Sequence, residues 1–243
     1  MNGSQSISRK ALVLGIYYTA MAGRFAHLID AQIRYILLDM DGTILDRYFD
    51  DYFWEHLLPE RYAEKNRIPF EQARTDLLER YGRAEGTLKW TDLDYWSTHL
   101  KIDIPALKKQ MEHLIDVHPH VIPFLMEMRR KHKLVVLVTN AHYKALDIKM
   151  RKTKLGPFLD RVVTSGDVGY PKERLEFWGR LEATLGQGYP AHSIFLDDTH
   201  AVLRTARTFG IRHVLHKAGG NSTLPVEMSD EFTSIHLFTE LMD

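Results

Sequence analysis

The chain has 243 residues, 44% hydrophobic and 26% charged, the composition of an ordinary folded protein long enough to bury a substantial core. Its 32 Lys+Arg balance 32 Asp+Glu, which removes any general electrostatic case for nucleic acid or an anionic membrane surface as partner. Cysteine is absent, so disulfides and thiolate metal sites are excluded, and the chain suits a reducing, cytoplasmic setting.

From the N-terminus, Arg9 and Lys10 precede an uncharged run over 11–23 that is too short to span a membrane. It has the outline of a signal peptide, with Ala20-Met21-Ala22 as a small-x-small site, which keeps export open as a minor alternative. The competing reading is an extension over 1–30 ahead of the first strand, or a start codon assigned too early, with Met21 as the true start.

Five short apolar runs read as buried parallel strands: 35–39, 134–139, 161–165, 193–197 and 211–215. Helical patterns follow the second, third and fourth of them, at 142–155, 172–185 and 200–209. Strand alternating with helix predicts an α/β fold built on a doubly wound parallel sheet. The interval between the first two strands is far too long for one crossover. Its segments 49–66, 70–84, 91–100 and 105–116 read as helices, broken near Pro69, Gly86 and Pro105. The spacing therefore predicts a core over 31–46 and 119–243, an inserted helical cap over 47–118, and a return helix near 120–132. After the fifth strand, 219–232 reads as a loop before a final element at 234–241.

In a doubly wound sheet, ligands bind outside the carboxyl ends of the strands. Asp39 and Asp41 end the first strand, Thr139 and Asn140 the second, Asp197 and Asp198 the fourth, and Lys172 follows the third. Four carboxylates converging with one ammonium repel one another unless a cation joins them. With oxygen donors only, that cation is most simply Mg²⁺, which completes its shell with substrate phosphate. Asp39 is then placed to attack phosphorus and form an aspartyl-phosphate, and Asp41 to protonate the leaving alkoxide and later deprotonate water. Gly42 allows a tight turn, Thr43 adds a hydroxyl near the phosphate, and Thr139 and Asn140 reach its oxygens. Lys172 neutralises charge, while Asp197 and Asp198 anchor the metal. Two plainer readings remain: Asp198 as a helix N-cap and Thr139 as a cap of the following helix.

The motifs "DMDGT", "VLVTN", "YPK" and "FLDD", in this order, resemble the four motifs of the haloacid dehalogenase (HAD) superfamily, with the insert at the position of its helical C1 cap. The resemblance covers 35 to about 215 and implies that Asp41 also lends its backbone carbonyl to the metal. Together with "FDDYFWEHLLPE", "LDYWS", "TNAH" and "GYPKE", the set is similar to the bacterial GMP/IMP nucleotidase branch, which implies hydrolysis of purine nucleoside 5′-monophosphates. In the cap, helical spacing puts Phe49, Phe53 and Leu57 on one core face. Tyr52 and Trp54 are the candidates to stack a purine, and Asp50 and Asp51 to accept from base or ribose. His142 is the one histidine at the expected active edge. A small-phosphosugar phosphatase or phosphomutase and a catalytically silent binding module are the alternatives; no P-loop motif is present.

Overall fold

Successive residues of the central strands bury on opposite faces, which is why their sequences are apolar throughout rather than alternating. The computed structural model describes residues 22–243, so the signal-like run up to Met21 lies outside the described residues. The strands are β1 (Tyr35–Leu38), β2 (Leu134–Thr139), β3 (Arg161–Thr164), β4 (Ser193–Asp197), β5 (His213–Lys217) and β6 (Ser234–Ile235). They form one sheet in the order β3-β2-β1-β4-β5-β6, every neighbouring pair parallel. The α/β doubly wound core is as expected, and β1 lies at its centre with β2 on one side and β4 on the other. The strand order reverses direction at β1, so a crevice opens at its carboxyl end.

On one face Ile36, Leu38, Val135, Leu137, Ile194 and Leu196 pack with Phe124, Leu125 and Met128 of the helix Val121–Arg130. On the other, Leu37, Val136, Val138 and Phe195 pack against Phe177, Trp178 and Leu181 of the helix Leu175–Leu185. The C-terminal element differs from the single unit expected: it splits into β6 and a 3₁₀ turn, Phe238–Leu241, which closes over the first face. The first of the described residues join it, with Gly23 N–H donating to Thr239 O and Phe25 N–H to Glu240 O. The fifth strand starts at His213 rather than 211, because Gly210 leaves its helix at φ 104 and Ile211 is still part of that turn.

Between β1 and β2 lie the helices α1 (Tyr48–Tyr52), α2 (Leu58–Asn66), α3 (Phe70–Ala84), α4 (Leu93–Leu100) and α5 (Ile104–Gln110). Asp92 caps α4, accepting from Asp94 N and Tyr95 N, and Asp103 caps α5, accepting from Ala106 N. Pro105 thus sits in the first turn of α5 and starts that helix rather than breaking it. A π-helical turn, Phe53–Leu57, joins α1 to α2. It displaces the buried stripe by one residue: Phe49 and Phe53 are buried as expected, but the next buried position is Leu58, with Leu57 only partly covered. The insert begins and ends side by side, with Asp46 N–H donating to Asp116 O (3.0 Å) and His118 N–H to Ile44 O (3.0 Å).

Phe124 is fully buried, its ring 4.9 Å from that of Phe238, so it ties the return helix to the C-terminus. Phe124→Ala is expected to lower the unfolding free energy by about 3–5 kcal/mol, read from urea denaturation.

Candidate active site

The turn after β1 is set by its own backbone. Asp39 N–H continues the sheet ladder to Leu196 O, and Met40 O then accepts from Ile44 N and Leu45 N. Gly42 makes this possible at φ 85, and a Cβ there would lie 2.1 Å from Asp198 Oδ2. The loops after β1 and β4 therefore touch, and only a residue without a side chain fits between them.

Lys172 stands in the loop before the helix Leu175–Leu185, fixed at both backbone ends. Its N–H donates to Asn140 Oδ1 (2.9 Å), and its carbonyl accepts from Trp178 Nε1 (2.9 Å). Its ammonium donates to Asp39 Oδ1 and to Asp197 Oδ2, the latter at 2.7 Å. Asp197 Oδ1 accepts from Thr199 N (2.7 Å), and Asp198 accepts from the Thr199 hydroxyl (3.2 Å) and pairs with Arg47 Nη1 (2.5 Å). Thr199, not Asp198, is the N-cap of the next helix.

Burial pushes the Asp39 carboxyl up to about 7; Lys172 opposes the shift and Asp197 adds to it. Burial likewise raises Asp197 and Asp198, against the pull of Lys172 on the first and Arg47 on the second. Lys172 stays protonated, since Asp197 and Asp39 outweigh the effect of its own burial. One oxygen from each of Asp39, Asp197 and Asp198 lies within 4.8 Å of the others. Three hard oxygen donors with too little positive charge around them fit a divalent cation. The Asp41 carboxylate is not in this group.

Instead it belongs to a second buried network. Lys149, on the helix Tyr143–Thr153, lies 2.7 Å from Asp41 Oδ1 and 2.5 Å from Asp50 Oδ2, and Lys108 of α5 reaches Asp50 Oδ1 at 2.6 Å. Both lysines are buried. The two ammonium groups outweigh the burial of Asp50 and hold it well below the usual carboxylate range. Burial raises Asp41, with Lys149 opposing and Asp50 and Asp39 adding to the shift. The sequence reading passed over both lysines, although a signal exists. Ile104, Leu107 and Lys108 share one inward face, as do Ala145, Ile148 and Lys149, so each lysine occupies a position of the apolar stripe.

A cleft of about 380 Å³ opens over these groups, within the range of small-molecule sites. Asp39, Asp41, Thr139, Asn140, Lys172 and Asp198 line its floor, and Trp54, Leu78, Tyr81, Trp90 and Leu93 its upper wall. The Thr139 hydroxyl accepts from Ala141 N (3.0 Å), which leaves its proton to donate, and it caps no helix. Asn140 braces the Lys172 loop, with its amide nitrogen on Glu173 (3.0 Å) as well. Thr43 is fully buried and does not line the cleft, because the turn at Met40 directs it inward. Asp51 lines the cleft but is already engaged by Arg47 and Asn221. Tyr52 does not line it, and stacks on His56 at 5.5 Å. Two residues on, and so on the opposite side of the helix, Trp54 faces the cleft, edge-on to Tyr81 at 5.3 Å, a ring the sequence did not single out. His142 also lines the cleft, 3.5 Å from Asp92, which is occupied in capping α4.

A carboxyl raised in the folded state holds a proton that the unfolded chain releases near pH 4. Its contribution to stability is therefore present at low pH and lost as pH rises through the folded value, about 7 for Asp39. A divalent cation binding the deprotonated cluster counters this loss. The rise in Tm on adding such a cation is expected to be larger at about pH 8 than at about pH 5.5, by differential scanning fluorimetry. Equal rises at the two pH values contradict the assignment.

The family model described as "Hydrolase: haloacid dehalogenase-like hydrolase" matches residues 33–210. GMP/IMP nucleotidase YrfG of Escherichia coli (strain K12) is 34% identical over 207 residues, covering 85% of this chain and 93% of that protein, and the Shigella flexneri protein of the same name gives the same figures. Among solved structures, a HAD phosphatase from Thermococcus onnurineus has a TM-score of 0.71 at 22% identity, over 86% of this chain and 96% of that one. A putative beta-phosphoglucomutase from Thermotoga maritima has a TM-score of 0.61 at 16% identity, over 86% and 97%. The chain belongs to the haloacid dehalogenase-like hydrolases, and is a phosphatase of that family.

Proposed function

We propose that this phosphatase hydrolyses purine nucleoside 5′-monophosphates with Mg²⁺ through an aspartyl-phosphate on Asp39, and that residues 47–118 act as the cap that selects substrate. The observation that carries the chemistry is the Lys172 ammonium bridging Asp39 and Asp197 at the floor of the cleft. The purine preference is supported by the relative named for GMP and IMP, which matches across the insert as well as the core. It is supported too by the apolar wall of Trp54, Tyr81 and Trp90, which suits a flat base better than a small sugar. Among the described residues no helix is long and apolar enough to cross a membrane, and we assign the enzyme to the cytoplasm.

Asp39, Asp197 and Asp198 are the side chains to hold Mg²⁺, with the Asp41 carbonyl as the family implies. When bound, the ion supplies positive charge against the phosphoryl oxygens. An Asp39 oxygen forms a bond to phosphorus as the bond to the ester oxygen breaks, and that oxygen leaves with the electron pair and takes a proton from Asp41. Water then attacks the phosphorus of the aspartyl-phosphate, passes its proton to Asp41, and releases phosphate and free Asp39. Lys172 stays protonated throughout and offsets charge on Asp39 and the phosphoryl group. The Thr139 proton donates to a phosphoryl oxygen.

Phosphate release across a panel of GMP, IMP, AMP, deoxynucleotides and small sugar phosphates, with Mg²⁺ and with EDTA, tests the reading. GMP and IMP are expected to lead, EDTA to abolish turnover, and Asp39→Asn to lower it by at least ~10³-fold. Retained turnover in Asp39→Asn refutes the mechanism. Isomerised sugar phosphate in place of free phosphate refutes the hydrolase assignment in favour of a mutase.

A further inference from the structure

The network around Lys149 joins four separate parts of the chain. Asp41 comes from the turn after β1, Lys149 from the helix after β2, Asp50 from α1 at the start of the insert, and Lys108 from α5 near its end. A buried ion-pair chain adds little net stability, because desolvating each charge offsets the attraction. Its placement is more informative. Its core end lies on the carboxylate assigned to proton transfer, and its other end lies on the last helix of the insert.

We propose that Lys149 is a positioning residue that holds the Asp41 carboxyl for proton transfer, and that this hold depends on the docked insert through Asp50 and Lys108. The proposal rests on the reading of Asp41 as the acid and base. Asp41 Oδ1 is sealed from solvent, and its contact with Lys149 is an ion pair without hydrogen-bond alignment, while the side chain as a whole remains 21% exposed. One oxygen is thus held by charge, and the other is left toward the cleft as the proton carrier. Lys149 divides its charge between Asp41 and Asp50, and Lys108 satisfies the second oxygen of Asp50. If α5 withdraws, Asp50 keeps Lys149 as its one ammonium partner and competes with Asp41 for it. The Asp41 carboxyl is then no longer fixed, so proton donation is tied to closure of the insert over substrate.

The test uses aryl phosphates of nearly equal shape, so that binding in the cleft stays constant. p-Nitrophenyl phosphate loses an oxyanion that needs no proton, whereas unsubstituted phenyl phosphate depends on the acid. The ratio of their kcat/KM values reports the step up to departure of the alcohol and is independent of the folded fraction of a preparation. In Lys149→Met the ratio of phenyl to p-nitrophenyl phosphate is expected to fall at least tenfold. Lys108→Met is expected to lower it in the same direction by a smaller factor, and Asp41→Asn to set the limit. A purely structural role for Lys149 lowers both activities together and leaves the ratio at its wild-type value. That result, alongside a fall in Asp41→Asn, overturns the proposal. An unchanged ratio in Asp41→Asn overturns the acid-base reading of Asp41 and this inference with it.

Discussion

Five carboxylates, of Asp39, Asp41, Asp50, Asp197 and Asp198, share the carboxyl edge of the sheet with four cationic side chains, Lys108, Lys149, Lys172 and Arg47. Fully ionised, this collection carries one net negative charge in a place where burial penalises every member of it. A divalent cation reverses the sign, and a phosphoryl dianion reverses it again. Cation and substrate thus enter a site whose charge balance tolerates them best as a pair. The tight turn at Gly42, the Asn140 brace and the Trp178 contact on the Lys172 carbonyl are the means by which the fold keeps these charges at hydrogen-bond distance.

The sheet supplies the geometry. Because β1, β2 and β4 run parallel and in register, residues separated by more than a hundred positions reach the same edge at the same height. The insert brings another kind of surface. Its wall of Trp54, Tyr81 and Trp90 is apolar, whereas the floor beneath it is polar and mostly charged.

Strands and their terminal polar residues were legible in the sequence because the signal is local: an apolar run of four to six residues, then a carboxylate, threonine or asparagine. Asp39, Thr139, Lys172 and Asp198 could be placed on one edge by topology alone. What escaped was longer in range or finer in period. Arg47 meets Asp198 across 151 positions, and Lys108 meets Asp50 across 58; the apolar stripe of its helix marks Lys108 as inward-facing but does not name its partner. A 3.6-residue period puts Tyr52 and Trp54 about 200° apart without telling which of them meets the cleft, and the π turn between α1 and α2 moves the next buried position from Leu57 to Leu58. Thr43, adjacent to the turn glycine, looked available and is fully buried.

The paired backbone crossings at Ile44–Asp46 and Asp116–His118 give the insert a narrow neck. Its ends are held together by the core whatever lies between them, so lengthening or replacing the intervening helices adds little loop-closure cost. The charged floor and the aromatic wall are for that reason carried by segments of the chain that can vary in length separately. A replacement insert must itself supply groups that stand toward Lys149 as Asp50 and Lys108 do, because both of those residues lie within the exchanged segment.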